Sequence, residues 1–253
     1  MRELLESVAA GELSPEAAES QLRGYVTSDA GRFDTARTQR AGVPEAILAT
    51  GKTATEVSTL VEASLKGTER AIVTRADPTA AAAIEDRYAD DPGTVVTVDD
   101  RAQTVVVRDA DFDRPELDAT VGVVTAGTSD AMPAGEAATM LREMGTTVER
   151  IDDIGVASLD RMLDQVPRLR EQDVLIVAAG REGALPTVLA GLVDTPIIGL
   201  PISTGYGHGG QGQAALSGML QSCTAMSVVN IDAGFTAGVQ AALIARQFDK
   251  IRD

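Results

Sequence analysis

The sequence predicts an α/β protein in which a C-terminal doubly wound parallel sheet follows a smaller N-terminal α/β domain. Three observations lead there. From about residue 120, near-continuous Val/Ile runs alternate with amphipathic segments, as in a parallel sheet covered on both faces. Upstream, the apolar runs are less regular. Between the two textures, RDADFDRPELD (Arg108 to Asp118) is polar, acidic and broken by Pro115. The expected domains are therefore 1–117 and 118–253.

In the first domain, helices are expected at Arg2 to Ala9 and at Pro15 to Leu22, the latter with Ser14 as N-cap and Pro15 at its first position. A third runs from about Thr53 to Leu65, where Val57, Leu60, Val61 and Leu65 share a face. AIVTR, from Ala71, reads as a strand and PTAAAAIEDRYA, from Pro78, as a helix. TVVTV from Thr94 and TVVVR from Thr104 follow as strands. In the second domain the strands are VGVVTA at Val121, TTVERI at Thr146, DVLIVAA at Asp173, TPIIGL at Thr195 and MSVVNI at Met226. Helical spacing links Met132, Ala137, Met140, Leu141 and Met144, and again Leu159, Leu163, Val166 and Leu169.

Charge narrows the partners. With 38 acidic against 22 basic side chains the net charge is −16, and Lys52, Lys66 and Lys250 are the only lysines. Such a surface repels nucleic acid and anionic membrane, and its dispersed acidity fits a salt-adapted protein. No apolar run reaches the roughly 18 residues of a membrane span, and the charged N-terminus has no signal-peptide pattern, so a cytoplasmic protein is expected. A single cysteine rules out an intramolecular disulfide and a cysteine-built zinc site.

Ligands of open parallel sheets bind beyond the C-terminal strand ends. The loop after the first strand, AGTSDAMP, offers Thr128, Ser129 and Asp130 at a helix start; it either binds phosphate or only caps the helix. After the third strand, AAGREGALP places Glu182 between Gly180 and Gly183, as a proton-handling carboxylate or as a partner of the helix dipole. After the fourth comes PISTGYGHGGQGQ, with Ser203, the lone His208 and a glycine-rich run that can wrap a ligand. NIDAGF ends the fifth, with Asn230 and Asp232 before a helix starting near Gly234.

Cys223 continues the helical spacing of Leu216, Met219 and Leu220, which by itself makes it a core side chain at the end of the sheet away from these loops.

Taken together, GTSD, GVASLDR, AAGREGALP, PIIGLP and ALSGML…VVNID, from about Val121 to Arg246, resemble the phosphoribosylaminoimidazole carboxylase (PurE-like, flavodoxin-like) fold. That family has a histidine acid in the loop after the second strand, where GVASLDR has none. The whole chain resembles more closely the LarB-type nickel-pincer nucleotide carboxylases, pyridinium-3,5-biscarboxylate mononucleotide synthases. TAGTSD, GREGALP, GLVDTPIIGLP, STGYG, SCTAMSVVNIDAGF and, upstream, FDTARTQRAGVPE and TGKT carry this likeness. The loop HGGQGQ departs from the family pattern.

The resemblance implies carboxylation of nicotinic acid adenine dinucleotide at carbon 5 of its pyridinium ring, with release of AMP. Carbon dioxide or bicarbonate is the co-substrate, no cofactor is tightly bound, and a divalent ion such as magnesium is left open for phosphoanhydride cleavage. It makes Cys223 the nucleophile and Glu182 the base at carbon 5. It places phosphate and ribose with Ser129 and Asp130, and further substrate contacts with Thr128, Gly180, Gly183, Ser203, Asn230 and Asp232. Arg37, Arg40, Lys52 and Arg75 match its basic positions and are expected to neutralise the substrate's carboxylate and diphosphate. It also implies a homo-oligomer, an octamer in the related carboxylases, with active sites shared between subunits. Cys223 is then expected to reach the loops of a neighbouring copy. Two alternatives remain: an aminoimidazole nucleotide carboxylase or mutase, and a non-catalytic nucleotide-binding assembly protein.

Overall fold

The structure, a computed structural model, describes residues 2–11, 15, 18 and 22–252. It divides into two compact units, residues 1–113 and 114–253. No described helix is long and apolar enough to cross a membrane.

The first unit opens with helix α1 (Arg2–Ala9). The expected Ser14 cap, and most of the helix expected after it, lie outside the described residues. A short antiparallel hairpin, β1 (Val26–Ser28) and β2 (Gly31–Phe33), leads to α2 (Arg37–Ala41) and β3 (Ile47–Leu48). Helix α3 (Ala54–Thr68) begins where expected because Thr53 and Glu56 form a capping box: each side chain accepts the other's backbone N–H. β4 (Arg70–Thr74) is followed by α4 (Pro78–Tyr88), where Asp77 Oδ1 accepts from Ala80 N at 2.8 Å and Pro78 opens the helix. β5 (Thr94–Asp99) and β6 (Thr104–Asp109) complete a sheet of order β3-β4-β6-β5. Its core joins Val57, Leu60 and Val61 of α3 to Ile84 of α4 and to Val73, Val105 and Val107 of the sheet.

The second unit is the predicted doubly wound sheet. Its strands are β7 (Thr120–Thr125), β8 (Thr147–Ile151), β9 (Val174–Ala179), β10 (Ile197–Pro201) and β11 (Ser227–Val228). All pairings are parallel, in the order β11-β10-β9-β7-β8. The chain leaves β7 for β8 on one side and returns to β9 on the other, so the topological switch point lies between β7 and β9.

Helices α5 (Ala131–Glu143) and α10 (Gly234–Arg252) pack tightly together. Small buried residues of α10 (Gly234, Ala237, Gly238, Ala241) make this contact close. A Cβ at position 234 would lie 2.1 Å from Pro133 O. Helices α8 (Ala184–Leu189) and α9 (Gln213–Leu220) contact each other and pack on β9 and β10 respectively.

Two expectations need correction. The spacing of Leu159, Leu163, Val166 and Leu169 does not form one buried stripe. The segment splits into α6 (Leu159–Leu163) and α7 (Val166–Arg170), with Pro167 in the first turn of α7. Of the expected set Leu169 is buried, together with Met162, while Leu159 and Leu163 are exposed. Cys223 is likewise not a core side chain. α9 ends at Leu220, which is 65% exposed, and Cys223 is exposed in the turn that follows. There Ser222 Oγ accepts from Thr224 N at 3.2 Å, turning the backbone out of the helical path.

Candidate active site

A cavity of about 520 Å³ opens at the switch point, within the usual size range of small-molecule sites. Its walls are the loops after β7, β8, β9 and β10. Ser129, Asp130, Gly180 and Glu182 all line it, so the structure brings four of the sequence-predicted site residues together.

The loop after β7 is shaped by Asp130. This buried carboxylate does not cap the helix behind it. It turns back to accept from Gly127 N at 2.8 Å and from Ser129 Oγ at 3.3 Å. Burial pushes its carboxyl above the usual carboxylate range, against the opposing pull of the Gly127, Ser129 and Ala126 donors. Thr128 is exposed and lies outside the cavity lining. The loop after β8 contributes Gly155, Val156 and Ala157, so no imidazole stands on this wall. Gly155 N donates to Ala126 O at 2.9 Å, seating the second loop on the first.

The loops after β9 and β10 touch through their backbones. A Cβ at Gly180 would lie 2.6 Å from Thr204 O, so only glycine permits this approach. It sets Arg181 beside Tyr206, with the guanidinium over the ring at 4.6 Å and Nη2 donating to the hydroxyl at 3.3 Å. Both residues line the cavity, and neither was singled out as a site residue from the sequence. The available signal was their place inside GREGALP and STGYG. Glu182 is exposed at the same wall. Gly183, at φ 68°, instead packs against α9, where a Cβ would meet Ala215 O at 2.7 Å.

Asp232 and Ser203 meet each other without lining the cavity: Ser203 N donates to Asp232 Oδ1 at 2.8 Å. Asn230 is exposed beside them and accepts from Ile231 N. The start of α10 is met by Glu136 Oε2, which accepts from Phe235 N at 3.1 Å. His208 is exposed in the glycine-rich loop, outside the lining.

Cys223 precedes β11 and does not line the cavity, whose walls are built at the opposite, C-terminal strand ends. The basic residues expected to meet the substrate belong to the first unit. Arg37 pairs with Glu45 and Arg40 with Asp34, each at 2.5 Å. The Arg40 guanidinium holds the Asp34 carboxyl below its ordinary value. Lys52 Nζ donates to Leu48 O at 2.7 Å, and Arg75 sits after β4 with φ 54°. Among the described residues no cluster of three or more His, Cys, Asp or Glu side chains is arranged to hold a metal ion.

The AIR carboxylase family model matches residues 120–253, and the LarB/PurE-like N-terminal domain model matches residues 25–109. An uncharacterised protein of Methanocaldococcus jannaschii is 35% identical over 259 residues, covering 99% of this chain and 98% of its own length. An N5-carboxyaminoimidazole ribonucleotide mutase of Thermotoga maritima is 30% identical over 86 residues, 33% of this chain and 50% of its own. Among solved structures, a Treponema denticola PurE2 variant is 22% identical with a TM-score of 0.41, covering 56% of this chain and 83% of its own. The carboxylase match spans more than half of the chain and is preceded by its N-terminal partner domain, so the chain belongs to the AIR carboxylase family as a member with a LarB/PurE-like N-terminal domain.

Proposed function

We propose that the protein carboxylates the pyridinium ring of nicotinic acid adenine dinucleotide at carbon 5 and hydrolyses the phosphoanhydride. The products are pyridinium-3,5-biscarboxylic acid mononucleotide and AMP, at the first step of nickel-pincer cofactor synthesis. The observation that carries this reading is the LarB/PurE-like N-terminal domain ahead of a carboxylase domain whose cavity offers Glu182 and no imidazole.

The chemistry explains the residue types. A pyridinium ring is electron-poor and does not attack carbon dioxide. A thiolate adding at carbon 4 forms a C–S bond and turns the ring into an enamine, nucleophilic at carbon 5. Carbon 5 then bonds to the carbon of carbon dioxide. Glu182 takes the proton left on carbon 5, and the electron pair of that C–H bond expels the thiolate and restores aromaticity. Water cleaves the phosphoanhydride in a separate step. A general thiol of pKa about 8.5 is only a few per cent ionised at pH 7, so the bound pyridinium cation would favour the thiolate.

Cys223 is the thiol of this reading, and it is supplied by a second copy of the chain, because within one chain it stands outside the cavity. Ser129 and Asp130 hold phosphate and ribose. Arg37 and Arg40 would exchange Glu45 and Asp34 for substrate oxyanions. A magnesium ion, if used, would be held by substrate phosphates and at most one or two carboxylates.

The test is incubation with the dinucleotide and labelled bicarbonate, followed by product mass. A labelled dicarboxylate mononucleotide with equimolar AMP is expected, and unchanged dinucleotide overturns the reading. Likeness to the ribonucleotide mutase favours a second reading, aminoimidazole nucleotide chemistry, which the same assay checks with that substrate.

A further inference from the structure

We propose that Arg181, oriented by Tyr206, is the anion receptor of this cavity and sets its preference among nucleotides. The inference rests on the nucleotide-binding reading above. The carboxyl and guanidinium side chains lining the cavity are those of Asp130, Glu182 and Arg181, two acids and one base. A phosphorylated substrate brings further negative charge into this partly enclosed space, and two carboxylates alone would repel it. Arg181 is the lining residue able to reverse that sign.

Its surroundings leave its charge available. Elsewhere in the chain Arg150, Arg161, Arg168 and Arg252 each meet a carboxylate. Arg181 instead meets a neutral ring at 4.6 Å and a neutral hydroxyl at 3.3 Å, and among the described residues no carboxylate pairs with it. One N–H is used on Tyr206, and the others remain for a ligand. With Cζ over the ring and Nη2 on the hydroxyl, the guanidinium keeps further N–H donors for a phosphate or carboxylate.

The backbone supports the same reading. Arg181 has φ 51°, a left-handed conformation that disfavours a side chain of this size. Such strain persists where the surrounding structure imposes it, typically at ligand sites. Here the Gly180–Thr204 approach imposes it, and Arg181 N donates to Thr204 O at 3.4 Å. Tyr206 is 80% exposed, and both its ring and its hydroxyl meet Arg181.

The anion is either the diphosphate or the nicotinate carboxylate. Calorimetric binding of nicotinic acid adenine dinucleotide, of its amide analogue NAD and of aminoimidazole ribonucleotide distinguishes them. The proteins are wild type, Arg181→Asn, Arg181→Lys, Tyr206→Phe and Tyr206→Ala. Asparagine tolerates the left-handed backbone and keeps the fold. Arg181→Asn is expected to weaken the acid dinucleotide roughly 10- to 100-fold, with Arg181→Lys in between. Tyr206→Phe, which keeps the ring but loses the hydroxyl that accepts from Arg181 Nη2, should weaken binding less than Tyr206→Ala, which should lose several-fold. Equal losses for both dinucleotides assign the diphosphate; loss confined to the acid form assigns the nicotinate carboxylate. An Arg181→Asn affinity within about twofold of wild type overturns the inference while leaving the proposed function standing. A wild type that takes only aminoimidazole ribonucleotide overturns the dinucleotide reading, and Arg181 is then judged on that phosphate by the same ratio. A wild type that binds none of the three overturns both.

Discussion

Ser203 donates its backbone N–H to Asp232 Oδ1 at 2.8 Å, tying the loop after β10 to the loop after β11 across 29 residues of chain. Asp232 holds this position with φ 54°, and its own N–H donates to Pro201 O at 2.9 Å. Asp232 therefore shapes the wall that carries Tyr206 without lining the cavity. Asp232→Ala loses the hydrogen bond and places alanine in a left-handed conformation, at about 2 kcal/mol of stability. Asp232→Asn keeps an acceptor and tolerates the backbone, so it should lose less than about half of that. Urea unfolding of the two variants checks the order.

Cys223 is exposed, so its removal should leave the fold intact. Cys223→Ala should change stability by no more than about 0.5 kcal/mol while abolishing carboxylation and the protein–substrate adduct mass. If a second copy supplies the thiol, Cys223→Ala and Glu182→Gln chains refolded together should recover activity. For sites shared pairwise, an equal mixture should reach about a quarter of wild type. Mixtures that stay inactive would place the thiol and the carboxylate on one chain.

Asp130 sets a pH dependence. Its folded-state carboxyl lies above the ordinary 3.8, so the folded protein holds this proton more tightly than the unfolded chain. The stability linked to Asp130 is therefore full below that value and is lost as pH rises through the raised folded value. Asp130→Asn, whose amide oxygen can still accept from Gly127, should remove this dependence. The stability difference between variant and wild type should shift toward the variant as pH climbs from about 3.8 to 7. Urea midpoints across that range test it, and a difference that stays flat would refute it.

Gly180 is where two walls touch. Gly180→Ala would drive a Cβ to 2.6 Å from Thr204 O, a backbone atom that cannot swing aside. A loss of about 1–3 kcal/mol and a marked fall in kcat/KM are expected. Gly127→Ala is the contrast for stability alone, since its Cβ would meet only Ser129 Oγ at 4.0 Å. Thermal melts of the two variants should differ clearly.

The parallel sheet was legible because β7, β9 and β10 are covered on both faces, leaving Val, Ile, Leu and Ala as nearly continuous runs. The starts of α3 and α4 were legible for a local reason, since Thr53 with Glu56 and Asp77 with Pro78 satisfy the first-turn donors themselves. The hairpin β1–β2 was not, because three-residue strands such as Val26–Ser28 are too short to show a period. Ser129, Asp130, Gly180 and Glu182 could be named because they fall in loops at strand ends, where the doubly wound topology gathers ligand contacts.

By itself, then, the sequence determined the alternating βα order, the strand cores and the loops that meet at the switch point, all of which follow from local periodicity and capping. Tertiary structure decided what depends on neighbours distant in the chain. It set Arg181 on Tyr206 and gave Asp232 to Ser203. It also placed Cys223 outside the helix whose spacing it continues. Periodicity states which side chains can share a face, but where a helix stops and which loop backbones approach closely are set by packing between elements.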